Sequence, residues 1–137
     1  MKLKFWNIIF IAIIMFSCQN EQKRDGYYAI CYNGKYTEVY FKKNSMMRVA
    51  SENELRTLSE WEKIEIKKDT LYFKSFDEWK HKWKAKIYYL RDNDIELHNL
   101  NTDMKFSLEQ IHESLDFENL KEFWNGFSNR QKIRNCK

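Results

Sequence analysis

Between residues 27 and 108 the sequence alternates apolar and polar residues in short runs, and each run ends in two or three turn-forming residues. A period of two sends successive side chains to opposite faces of a strand, so every run offers one face for burial and one for water. Asn33-Gly34 is the clearest turn. A type I′ hairpin needs positive φ at both central residues, which Asn and Gly adopt at low cost. It joins runs 27–32 and 36–42, and Lys43-Asn44-Ser45 leads into 46–50. Ile64 and Ile66 share a face in 61–66, and Lys67-Lys68-Asp69 turns into 70–74. Trp83, Ala85, Ile87 and Tyr89 alternate with Lys84, Lys86 and Tyr88. Asp92-Asn93 then turns into Ile95 and Leu97, and 99–103 into Met104, Phe106 and Leu108. Leu55 and Leu58 stand at helical spacing, so 51–59 is expected to be a short helix or a loop. About eight strands joined by turns this short leave no room for crossover helices, so neighbours run antiparallel.

After Ile111 the period lengthens. Leu115, Leu120, Phe123, Trp124 and Phe127 fall on one helical stripe. Acids come early (Glu109, Glu113, Asp116, Glu118, Glu122) and bases late (Arg130, Lys132, Arg134, Lys137), the order that suits a helix dipole. Ser114 or Asp116 is expected to cap the start and Gly126 to mark the end. The expected fold is mainly β: an antiparallel up-and-down β-barrel, or a strongly curved sheet of about eight strands, with a C-terminal α-helix.

Residues 1–17 have a different character. Lys2 and Lys4 precede an apolar stretch, 5–16, broken only by Asn7, and Ser17-Cys18 follows. This is the layout of a secretory signal, and the stretch is shorter than the roughly 20 apolar residues needed to cross a bilayer. Met15-Phe16-Ser17-Cys18 resembles the lipobox of bacterial lipoproteins, whose cysteine receives a diacylglycerol and becomes the first residue of the mature chain. The resemblance implies a cleaved signal peptide over 1–17, an acylated Cys18 that anchors the chain in the membrane, and a short polar tether over 18–26. Gln19 after the cysteine resembles the pattern of lipoproteins passed to the outer membrane of the cell envelope. Removing residues 1–17 leaves 120 of the 137 residues and takes away two lysines, so the net charge falls from +4 to +2. Neither that charge nor export suggests a nucleic-acid partner. Cys31 and Cys136 then remain in an oxidising compartment. They either form a disulfide, or Cys31 is a buried small residue and Cys136 a free thiol.

Eight meandering strands and a helix over 27–137 resemble the lipocalin or calycin architecture. Gly26-Tyr27-Tyr28 stands where lipocalins carry Gly-x-Trp near the first strand. The resemblance implies a barrel able to hold one small ligand. The stretch 79–86, Trp-Lys-His-Lys-Trp-Lys-Ala-Lys, would as a strand set Trp79, His81 and Trp83 on one face and four lysines on the other. With Tyr28 and Tyr89 these aromatics are the candidate ligand-binding residues, and the lysine row is a candidate contact for anionic lipid. The competing reading is that the tryptophans fill core and the lysines solvate a strand.

Motifs for chemistry are scarce. Three glycines, Gly26, Gly34 and Gly126, cannot build a glycine-rich phosphate loop. His81, His98 and His112 form no HExxH, the cysteines form no CxxC, and no GxSxG elbow occurs. No catalytic residue, metal or cofactor is expected. Two roles remain: a membrane-tethered binding protein for a small apolar or amphipathic ligand, or a protein-interaction lipoprotein (an immunity, inhibitor or envelope-assembly module) with no ligand cavity.

Overall fold

A computed structural model of the chain describes residues 26–76 and 80–137. The signal stretch, Cys18, the rest of the tether up to residue 25, and Trp79 lie outside the described residues. Strand β1, Gly26–Tyr32, turns through Asn33 (φ 50°) and Gly34 (φ 71°) into β2, Lys35–Lys42. Both turn residues have the left-handed backbone that a two-residue hairpin requires. Lys43 and Asn44, also at positive φ, lead to β3, Met46–Glu52. Three short strands follow: β4 (Arg56–Leu58), β5 (Glu62–Lys63) and β6 (Glu65–Lys67). A tight turn at Lys68 begins β7, Thr70–Lys74, and then come β8 (Lys82–Tyr89), β9 (Ile95–Asn99) and β10 (Lys105–Gln110). A single 3₁₀ turn, Arg91–Asn93, joins β8 to β9.

All pairings are antiparallel, in the order β4-β3-β2-β1-β10-β9-β8-β7-β6, with β5 on β3. The sheet is therefore a meander whose first strand returns to lie beside the last. β5 and β6 are consecutive pieces of one stretch. The first pairs with β3 (Met47 opposite Glu62) and the second with β7 (Glu65 opposite Tyr72). The stretch thus reaches both margins of the strongly curved sheet, and between the two pieces the Ile64 N–H donates to the Ser45 carbonyl at 2.9 Å. The segment 51–59 is not helical: β4 pairs with β3 alone, and Leu55 is 79% exposed, so its spacing from Leu58 has no burial behind it.

The concave side holds one core, including Tyr28, Val39, Phe41, Met47, Ile87 and Leu97, with Leu71 and Leu108 at 0% exposure. A second core lies on the convex side of β1 to β3, under helix α1, Leu120–Arg134, where Tyr36, Tyr40, Phe123 and Phe127 are buried together. Strand β2 feeds both cores because its two faces are both covered.

The helix boundaries differ from the sequence expectation. Asn119 is the N-cap: its Oδ1 accepts from the Glu122 N–H at 3.2 Å, and its Nδ2 donates to Glu122 Oε2 at 3.2 Å. Asp116 instead stabilises the turn before the helix, its Oδ1 accepting from the N–H groups of Glu118 (2.9 Å) and Asn119 (3.3 Å). Leu115 reaches the second core from that preceding loop. The helix ends at Asn135, in the left-handed region at φ 44°. Gly126 lies inside it for a steric reason: a Cβ there would stand 2.8 Å from Arg130 Nη1.

That guanidinium is committed elsewhere. Glu38, on the helix side of β2, is 0% exposed. Its carboxylate accepts from Arg130 Nε at 2.8 Å and Nη2 at 3.1 Å, and from the hydroxyls of Tyr36 and Tyr40, both at 2.5 Å. Arg130 Nη1 also donates to Glu113 at 2.9 Å. A buried charge is tolerated only when paired and hydrogen-bonded, and here both oxygens of Glu38 have two donors. Burial pushes both phenols well above the ordinary tyrosine pKa, and the Glu38 carboxylate beside them adds to the rise. Burial alone would lower the Arg130 pKa, but its bonds to Glu38 and Glu113 outweigh that and hold it higher still. Past the helix, Cys136 is joined to Cys31 on β1 by a disulfide with a Cα–Cα separation of 5.3 Å. A loop of 105 residues closed in this way limits the unfolded chain by about 4–5 kcal/mol in the chain-entropy view.

Two predictions follow from the buried cluster. Arg130→Met strands the Glu38 carboxylate and should cost about 3–5 kcal/mol in urea denaturation, with Glu38→Gln added to it recovering part of the loss. The raised pKa values mean that the neutral phenols favour the folded state fully below about pH 10, and that this contribution is lost as pH climbs through their folded values. Tyrosinate absorbance should therefore show Tyr36 and Tyr40 ionising only together with alkaline unfolding, and Tyr36→Phe should reduce the late-titrating set by one.

Candidate functional site

Of the aromatics singled out from the sequence, Trp79 lies outside the described residues and the other four have separate surroundings. Tyr28 is buried in the concave core, its ring edge-on to Phe41 at 5.9 Å. Trp83 stands opposite Phe73 in the β7–β8 register and stacks on it at 6.0 Å and 25°. Tyr89 is half exposed at the end of β8. His81 precedes β8 and is exposed. Its carbonyl accepts from the Ser75 N–H and its own N–H donates to Ser75 Oγ, both at 2.8 Å, which closes the loop between β7 and β8. The fourth lysine of the row, Lys80, also lies outside the strand and pairs with Glu62 at 2.7 Å. The alternation that set Trp83 inward and Lys82, Lys84 and Lys86 outward begins only at Lys82.

A cleft is present elsewhere, on the convex side, where β1 and β10 pass the last turn of α1. It has a volume of about 460 Å³ and is lined by Ala29, Cys31, Ser107, Glu109, Ile133 and Arg134. The cause is local and steric. The outward positions of β1 are small here, Ala29 and Cys31, and Ala29 lies opposite Glu109 in the β1–β10 register. The helix end therefore spans a depression instead of packing into it. Ile133 is 81% exposed at the rim. Arg134 Nη1 stands 3.4 Å from Glu109 Oε2, and Nη2 donates to the Gln110 carbonyl at 3.4 Å. The buried Nη1 has an ion-pair partner but no well-aligned hydrogen bond, and the buried Gln110 Oε1 has no donor. The disulfide fixes the chain just beyond this helix end.

Chemically the cleft offers the Arg134–Glu109 ion pair, the Ser107 hydroxyl and an exposed branched apolar side chain. A polar group with a short apolar stem fits that lining. Among the described residues, no group of three or more His, Cys, Asp or Glu side chains is placed to hold a metal ion. Sequence reading missed the cleft because its walls come from three distant segments. The available signal was the pair of small residues, Ala29 and Cys31, on one face of an otherwise bulky strand.

Comparisons of the chain with protein-family models, with curated proteins and with solved structures gave no match.

Trp83 and His81 should separate cleanly by substitution. Trp83→Ala removes a part-buried ring stacked on Phe73 and should cost about 1–2 kcal/mol. His81→Ala touches only an exposed imidazole and should change stability by less than about 0.5 kcal/mol. Chemical denaturation of both variants checks this.

Proposed function

We propose that the chain is an exported lipoprotein, anchored through acyl chains on Cys18, that acts as a non-enzymatic protein-interaction module. The observation that carries this reading is the division between inside and outside. The concave side is occupied by its own side chains, with Leu71 and Leu108 fully buried and Phe73 stacked on Trp83. A cleft of about 460 Å³ lies on the convex side, beside Ile133 and Arg134. A carrier concentrates its apolar lining around an interior cavity, whereas an interaction module exposes an apolar anchor beside polar groups. Ile133 next to Arg134 and Ser107 has that composition. The partner is expected to present a polar side chain to the Arg134–Glu109 pair and an apolar surface to Ile133.

Native mass spectrometry of the full chain extracted gently from its own membranes tests this. The expected result is a protein-sized adduct that Ile133→Asp abolishes without lowering stability, and an N-terminal peptide carrying the diacylglycerol on Cys18. A small-molecule adduct lost on denaturation, and unaffected by Ile133→Asp, would restore the carrier reading. An unmodified Cys18 would remove the anchor.

A further inference from the structure

Helix α1 covers β1 to β3, and among the described residues no element covers the outward face of β7, β8 and β9. The outward positions there are Thr70, Tyr72 and Lys74 on β7, Lys82, Lys84, Lys86 and Tyr88 on β8, and Glu96 and His98 on β9. Lys105 on β10 continues the face opposite His98. The carboxylates on and beside this face are paired: Glu96 with His98, and Glu65, opposite Tyr72 on β6, with Lys67 at 3.0 Å. Lys74 and Lys82 face each other directly across the β7–β8 pair. Like charges in that register destabilise a sheet, so the sequence keeps an unfavourable contact here. Lys84 and Lys86 rest against rings, Nζ standing 5.7 Å from the centroids of Tyr72 and Tyr88 respectively. Residues two apart on a strand are about 6.6–6.8 Å apart, so Lys82, Lys84 and Lys86 form a row about 13 Å long.

We infer that this face docks on an anionic phospholipid surface. The charge is spread over the outward face of three neighbouring strands, which suits a plane of headgroups better than a single extended chain. Tyrosines set among lysines match the composition of membrane–water interfaces, where the ring sits at headgroup depth and the ammonium reaches the phosphate. The inference rests on the anchored reading for keeping the face near a membrane, and the reach is adequate. β1 lies three strands from β8, about 14 Å around the sheet. The eight residues 19–26 span up to about 27 Å when extended.

The test is partition of the mature chain, residues 18–137 carrying Cys18→Ser, between buffer and vesicles, either pure phosphatidylcholine or a mixture with phosphatidylglycerol. Each lysine near the surface is worth roughly fivefold in partition. Lys82→Gln, Lys84→Gln and Lys86→Gln together should lower binding to the anionic vesicles on the order of 100-fold at low salt and leave binding to neutral vesicles unchanged. A control triple on other surfaces, Lys35→Gln, Lys121→Gln and Lys132→Gln, changes net charge equally and should have little effect. Amine labelling should show Lys74, Lys82, Lys84 and Lys86 protected by the anionic vesicles alone. Equal binding to both vesicle types, or an equal loss in the control triple, would overturn the inference. Protection by polyglutamate but not by vesicles would also overturn it, in favour of an acidic protein. The two readings fail separately. An unacylated Cys18 in the native chain with selective anionic binding removes the anchor and keeps the face. An acylated Cys18 without that selectivity does the reverse.

Discussion

The arrangement of this protein depends on one buried carboxylate. Glu38 lies on a strand whose two faces are both covered, and its charge is made tolerable by Arg130 on a helix 92 residues later and by Tyr36 and Tyr40 on either side of it. An ion pair of this kind adds little net stability over a well-packed apolar pair, since both ions must lose their water. What it adds is register. Moving the helix by one turn would leave the carboxylate without its cation at a cost of several kcal/mol. Apolar contacts around Phe123 and Phe127 alone would tolerate such a shift far better. Gly126 belongs to the same arrangement, because the guanidinium passes where its side chain would be.

Fixing the helix there decides which surfaces remain open. The helix occupies the convex side of β1 to β3, its last turn overhangs β10 at the cleft, and the face of β7 to β9 stays bare. The concave core is filled by residues from almost every strand. The cleft and the lysine-bearing face are neighbours around the curve, on the outside of the sheet.

The strands were legible because each hairpin carries its own local signal. Asn33-Gly34, Lys43-Asn44, Lys68 and Asp92-Asn93 all adopt the positive φ that their residue types favour or the tight turns demand. Alternation told inside from outside wherever one face met water, as in β8. It failed where that condition failed. On β2 the outward residues Tyr36, Glu38 and Tyr40 are buried by a helix far away in sequence, so a polar residue in an outward position misleads. The pattern Tyr-x-Glu-x-Tyr was the trace of it: a carboxylate flanked on its own face by two hydroxyl donors. Leu55 and Leu58 imitated a helical stripe without burial behind Leu55, while Leu115 extended a real one from a loop. The candidate ligand set was assembled by residue type, and only the register could show that Tyr28 packs in the concave core and that Trp83 lies against Phe73.

The pairing of β1 with β10, Tyr28 opposite Gln110, and the bridge from Cys31 to Cys136 join the start of the described domain to its end. Contacts that distant in sequence must overcome the entropy of closing almost the whole chain before they return any stability. The hairpins β1–β2 and β7–β8 can form early and locally, but the curve cannot close, nor the helix find Glu38, until the C-terminal residues are present. A chain emerging N-terminus first would remain an open ribbon and become a covalently tied domain only once Arg130 and Cys136 were available.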